Sequence, residues 1–259
     1  MPERRGLMAF LRAYPETGGV LALGAVTMLA AWIAVDAKDT QGLGSANFVF
    51  GALATIVCVG AVVRLAIRRS LGDASPRHLI VTIFTSYGVL ILSFASMYYV
   101  QSGAGDYRDA CAEVSFYGEI ARRIDAGELD PGELPDFESR RAFNGIRDRL
   151  WTGLDGFGSS ETDGVPLPLT ASEKVDVARG RPVEEVVAFR SDGRLGVAID
   201  CLHLSVATMT TLGYGDVSPR DSFARLSTDA QVLASGILVL VALARAFALA
   251  SSVEARGRD

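Results

Sequence analysis

Four stretches of this 259-residue chain, at about 18–35, 46–67, 79–100 and 227–251, are apolar over the length a helix needs to cross a bilayer. That length is roughly 20 residues. The chain is 49% apolar, and its apolar residues are gathered into these blocks, which is the distribution of a membrane protein. A net charge of −5, with no basic face interleaved with aromatics, argues against a nucleic-acid partner. No nucleophile–base set, P-loop or metal-ligand cluster points to an enzyme.

Charge placement sets the expected orientation, because short cytoplasmic segments carry the excess of Lys and Arg. Arg4, Arg5 and Arg12 precede the first stretch, Arg64, Arg68, Arg69 and Arg77 lie at or between the second and third, and Arg256 and Arg258 follow the fourth. If every stretch crosses once, all three clusters fall on one side. Both termini are then expected to be cytoplasmic, with residues 102–197 outside, across a plasma or inner membrane. That segment holds 19 acidic against 12 basic residues. The alternative for the first stretch is a signal peptide led by Arg4 and Arg5, although no small-x-small cleavage site follows it. Arginines 64, 68 and 69 cluster at one end of the second stretch, where they serve as interfacial anchors better than as a voltage sensor. His78 sits at the same membrane edge. Met97-Tyr98-Tyr99 marks the outer end of the third stretch.

Residues 102–197 read as a small folded cap. Ala110, Val114, Tyr117, Ala121 and Ile124 recur at helical spacing, as do Phe143, Ile146, Leu150 and Leu154, so two amphipathic helices are expected around the 128–136 turn. Residues 153–168 read as an exposed loop, and 183–189 with 195–199 as a hairpin about Ser191-Asp192-Gly193. Three cysteines are too few for a disulfide framework. Cys58 and Cys201 read as packing residues, and Cys111 as a thiol that is either free or paired with its copy in a neighbouring subunit.

Directly before the last apolar stretch runs Thr208-Met209-Thr210-Thr211-Leu212-Gly213-Tyr214-Gly215-Asp216. Glycines at 213 and 215 permit positive φ, which residues with a Cβ rarely adopt, so a short extended strand can turn successive carbonyls to one side. Those carbonyls can replace the water around an ion. A bare Gly-Tyr-Gly would mean only a turn. The longer run Ser205-x-x-Thr208-x-Thr210-Thr211-x-Gly213-Tyr214-Gly215-Asp216 resembles the selectivity filter of the potassium-channel family, whose four Thr-Val-Gly-Tyr-Gly loops are the established example of the arrangement.

The resemblance implies an all-α membrane protein, a tetrameric channel pore with an N-terminal two-helix hairpin and a small extracellular cap that is helical or α+β. Its parts would be the hairpin with its arm and linker (1–78), outer helix (79–101), cap (102–197), pore helix and filter (198–219), and inner helix with a short tail (220–259). By resemblance, the backbone oxygens of Thr211, Leu212, Gly213 and Tyr214 and the Thr211 hydroxyl bind successive K+ ions. Thr210, Gly215, Asp216 and His203 support them. One filter strand per chain cannot surround an ion, so the implied assembly is a homotetramer in a lipid bilayer. Neither nucleic acid nor a soluble ligand is implied.

Asp200 is expected to cap a pore helix ending near Thr210. At the family's two bracing aromatic positions stand His203, expected beside Asp216, and Leu204, expected behind Tyr214, while Ala207 occupies the place of a glutamate found in some bacterial channels. His203 reads either as a proton-sensitive support or as a neutral packing residue. Gly236 falls near the family's hinge and reads as that hinge or as a close-packing residue, and Arg245 as a snorkelling or vestibule-facing cation. The few residues after 251 leave no room for a cytoplasmic ligand-binding domain. A non-selective cation channel, and a cap-centred sensor on a silent pore, are the rival readings.

Overall fold

The computed structural model describes Ala22, Val26, Ile56, Gly60, Arg64 and residues 76–154, 169–190 and 193–256. The expected N-terminal hairpin apart from five of its residues, the leader alternative, Cys58, Ser191, Asp192 and nearly all of the 153–168 loop lie outside the described residues. Among the described residues the elements run α1 (Pro76–Asp125), β1 (Phe143–Asn144), β2 (Trp151–Thr152), α2 (Ala171–Ala178), α3 (Val183–Val186), β3 (Ala188–Phe189), α4 (Arg194–Met209), β4 (Ser218–Pro219) and α5 (Ser222–Arg256). The architecture is mostly helical. Two of the helices, over Ile80–Asp125 and Ser222–Ala248, are long and apolar enough to cross a membrane.

The chain divides into two units, the first made of Met1–Val100, Cys201–Gly215 and Arg225–Asp259. Its core gathers Leu90, Phe94 and Tyr98 from α1, Cys201 and Leu204 from α4, and Ala234 and Leu238 from α5, all buried. Other apolar side chains of these helices stay open in the single chain, among them Phe84, Leu233, Leu240 and Phe247. A helix that is apolar on faces it does not bury suits lipid or further protein rather than water.

The second unit comprises Gln101–Asp200 together with Asp216–Ala224, so a segment following the glycine-containing run belongs with the insertion. Helix α1 is continuous for 50 residues, about 75 Å at 1.5 Å per residue. Ala110, Val114, Tyr117 and Ala121 are therefore buried on the same helix as residues 79–100 and form no separate element. Val114, Tyr117 and Ile120 pack with Leu154, Val175, Ala178 and Val186 as the unit's apolar core.

Three further expectations are corrected. Phe143, Ile146, Leu150 and Leu154 are all buried, yet the stretch is largely irregular chain with two-residue strands and no α-helix. Their spacing records burial, which an irregular segment lying on a core can also produce. The 183–199 hairpin is absent: Val183–Val186 is a helical turn entered from Pro182, Ala188–Phe189 pairs with Trp151–Thr152, and residues 195–199 are helical. Proline at the start supplies a helix-ready φ and lacks only an N–H that would be idle there. Helix α4 begins at Arg194, so Asp200 lies inside it and accepts the Arg147 N–H at 3.3 Å instead of capping the helix.

Ionic contacts reinforce the second unit. Asp106, Asp109 and Glu113, all buried on α1, face Arg141 at 3.1 Å, Arg149 at 3.8 Å and Lys174 at 2.7 Å. Asp106 also accepts the Leu150 N–H at 2.8 Å. Burial pushes the Asp106 carboxyl above its ordinary range, with Arg141 and the Leu150 amide pulling the other way. A buried carboxylate is tolerated only with such partners.

Candidate functional site

The candidate site is built at the C-terminal end of α4. A helix leaves its last carbonyls without internal partners, and here the chain turns back to satisfy them. Thr210 N–H donates to Val206 O at 2.9 Å, Thr211 N–H to Thr208 O at 3.1 Å, and Leu212 N–H to Ala207 O at 2.9 Å. Residues 212–214 then continue as irregular chain.

Along this run the backbone sign alternates. Thr211, Gly213 and Gly215 have φ of 58°, 51° and 77°, whereas Leu212 and Tyr214 are not among the positive-φ residues. Glycine adopts the left-handed region at little cost; Thr211 is the only described non-glycine residue found there, at a branched side chain that disfavours it. Such strain persists only where the surroundings hold it. Part of that hold is the Thr211 hydroxyl, which donates to Thr210 O at 2.7 Å. Side chains 210–216 are exposed in the single chain.

Two further helices brace the α4 terminus. Tyr87 O–H of α1 and Ser235 O–H of α5 both donate to Met209 O, at 2.6 Å and 2.7 Å. One turn earlier, Gln231 Nε2 donates to Ser205 O at 2.9 Å, Gln231 Oε1 accepts from Tyr98 O–H at 2.6 Å, and Ser205 O–H donates to Ile91 O at 2.7 Å. Gln231, Tyr98 and Ser205 are fully buried. Three helices are thus pinned by hydrogen bonds at the base of the run.

Sequence reasoning missed Tyr87, Tyr98, Gln231 and Ser235 as parts of this site. The available signal was their polarity within otherwise apolar stretches, which marks residues that face protein. His203 was expected beside Asp216 and Leu204 behind Tyr214. The His203 ring stacks on Tyr214, with centroids 5.6 Å apart and planes 20° from parallel, and Leu204 is buried in the core. An offset ring stack is a favourable use of an imidazole against a phenol. Asp216 is exposed, and its carboxylate accepts the adjacent Val217 N–H at 2.9 Å.

Cys201 is buried and Cys111 half-buried, and neither forms a disulfide within the single chain. Gly236 lies within the unbroken α5, and a Cβ built there would meet nothing within 4 Å. Among the described residues no three His, Cys, Asp or Glu side chains converge as metal ligands.

The ion channel family model matches residues 186–251, which take in α4, the alternating run and most of α5. No curated protein and no solved structure matches the chain. Over that stretch the chain is similar to an ion channel family, which is not a family of enzymes, and two helices long and apolar enough to cross a membrane accompany the match.

Proposed function

We propose that the chain is a potassium-selective channel subunit, four copies of which surround one conduction path in a lipid bilayer. The observation that carries this reading is the alternation of backbone handedness at Thr211, Gly213 and Gly215 directly after α4. A chain that alternates in this way turns carbonyls from Thr211 to Tyr214 toward a common axis, and fourfold repetition would complete a cage of oxygens for K+. Thr210, Gly215, Asp216 and His203 support it, and the ion is the permeant substrate. In this reading both termini are cytoplasmic, residues 102–197 face outward across the plasma or inner membrane, and Gly236 is where the inner helix bends.

A non-selective cation channel is the second reading, favoured by the single imidazole behind Tyr214 where the potassium-channel family commonly has two bracing aromatics. Reconstitution in liposomes under opposed K+ and Na+ gradients separates the two. We expect a reversal potential near the K+ equilibrium value, lost in Gly213→Ala, because alanine is strained at a φ of 51°. A reversal midway between the two equilibrium values would favour the second reading, and absence of flux would remove both.

A further inference from the structure

We propose that the inserted unit positions the outer end of the filter, by clamping the strand that leaves it. This rests on the channel reading above. A filter that substitutes oxygens for hydration water works only while their spacing is held. The α4 terminus is pinned by Tyr87, Ser235 and Gln231, but the opposite end runs through Gly215, at a φ of 77°, into Asp216. Whatever fixes that end must act on the residues after Gly215.

Those residues belong to the second unit, and residues 138–145 grip them. Phe143 pairs with Pro219 and Asn144 with Ser218 as an antiparallel bridge. The buried Ala142 offers its carbonyl to Arg220 N–H at 2.8 Å. The Arg220 guanidinium donates to Ser139 O at 2.8 Å and lies 3.5 Å from Glu138. Asp221 accepts the Ala224 N–H at 2.6 Å, capping the first turn of α5, and faces Arg108 of α1 at 3.4 Å.

Gly145 makes the grip tight. Its φ is 88°, and a Cβ built on it would stand 1.8 Å from the Asp216 carbonyl oxygen and 3.0 Å from Val217 Cα. Two backbones are in direct contact there, so any added atom moves the residue that follows Gly215. Gly127 is the natural control: it also has a left-handed φ, of 71°, but a Cβ on it would meet nothing within 4 Å. Both substitutions strain the backbone, and only one pushes on the exit strand.

The test uses the full chain in liposomes, comparing wild type, Gly145→Ala, Arg220→Gln and Gly127→Ala by K+ over Na+ permeability. Amide hydrogen exchange over residues 216–221 is followed in parallel. We expect Gly145→Ala and Arg220→Gln to lower the permeability ratio about tenfold or more, equivalent to roughly 1.4 kcal/mol at the ion sites, and to speed exchange over 216–221, with Gly127→Ala unchanged in both. Folded Gly145→Ala or Arg220→Gln protein with wild-type selectivity and exchange overturns the clamp while leaving the channel reading intact. If Gly145→Ala does not fold, Arg220→Gln alone decides. A wild type that passes no ions removes the channel reading, and the clamp's role falls with it.

Discussion

Gln231 shows what a single residue does where three helices meet. Its amide uses both ends, accepting from Tyr98 and donating to Ser205, in a place with no access to water. Gln231→Leu keeps the approximate volume but takes one acceptor from the Tyr98 hydroxyl, which also bonds the Thr228 side chain, and removes the side-chain donor to Ser205 O. Leaving a buried polar group short of a partner costs about 1–3 kcal/mol, so we expect a clearly lower melting temperature of the detergent-solubilised protein. An unchanged melting curve would mean the network contributes nothing. At this scale the sequence was unevenly legible. The glycines at 213 and 215 announced themselves because their role is local to the backbone. The bonds from Tyr87 to Met209 and from Tyr98 to Gln231 join positions 122 and 133 residues apart, and nothing in the spacing of a hydroxyl within an apolar stretch names its partner. The stack of His203 on Tyr214 was not legible either, because the register that placed His203 near Asp216 says nothing of ring contacts.

Among the elements, α2 carries the clearest local signal. Thr170 accepts from Glu173 N–H at 3.4 Å while the Glu173 carboxylate accepts from Thr170 N–H at 2.7 Å, a reciprocal capping box. Removing such a cap costs about 1 kcal/mol, so Thr170→Ala should lower the stability of the insertion by about that amount, read by thermal or proteolytic unfolding. The hydrogen bonds from Thr170 hold the Glu173 carboxyl below its ordinary value of 4.5. A depressed carboxyl pKa stabilises the fold fully above the unfolded value and loses that contribution as pH falls through the folded one. The wild-type insertion should therefore lose part of its stability below about pH 4.5, and Thr170→Ala should lose less over the same range. Equal acid sensitivity in both would refute the link. The long helices were legible from their apolar runs. The irregular 143–154 stretch was not, because periodic burial without a helix gives the same pattern as an amphipathic helix.

For the molecule as a whole, charge is the property that composition foretold and structure rearranges. Part of the acidic excess of residues 102–197 is internal: Asp106, Asp109 and Glu113 are buried against Arg141, Arg149 and Lys174. Exposed carboxylates such as Glu128, Asp130, Glu133 and Asp136 are those left to draw cations toward a pore. Replacing these four by their amides should lower single-channel K+ conductance at low ionic strength and leave it nearly unchanged near 1 M salt, where the screening length is about 3 Å. Equal conductance at low salt would show that the insertion's surface charge plays no part.

The exit strand has a bearing on how such a chain can change over time. Because Asp216–Ala224 folds with Gln101–Asp200, the insertion is not a module threaded between two helices that could be excised at its ends. Deleting residues 102–197 would take away the partners of Ser218, Pro219 and Arg220 and leave the segment after Gly215 with backbone donors and acceptors to re-house. The exit strand and the residues 138–145 that hold it must accordingly vary together.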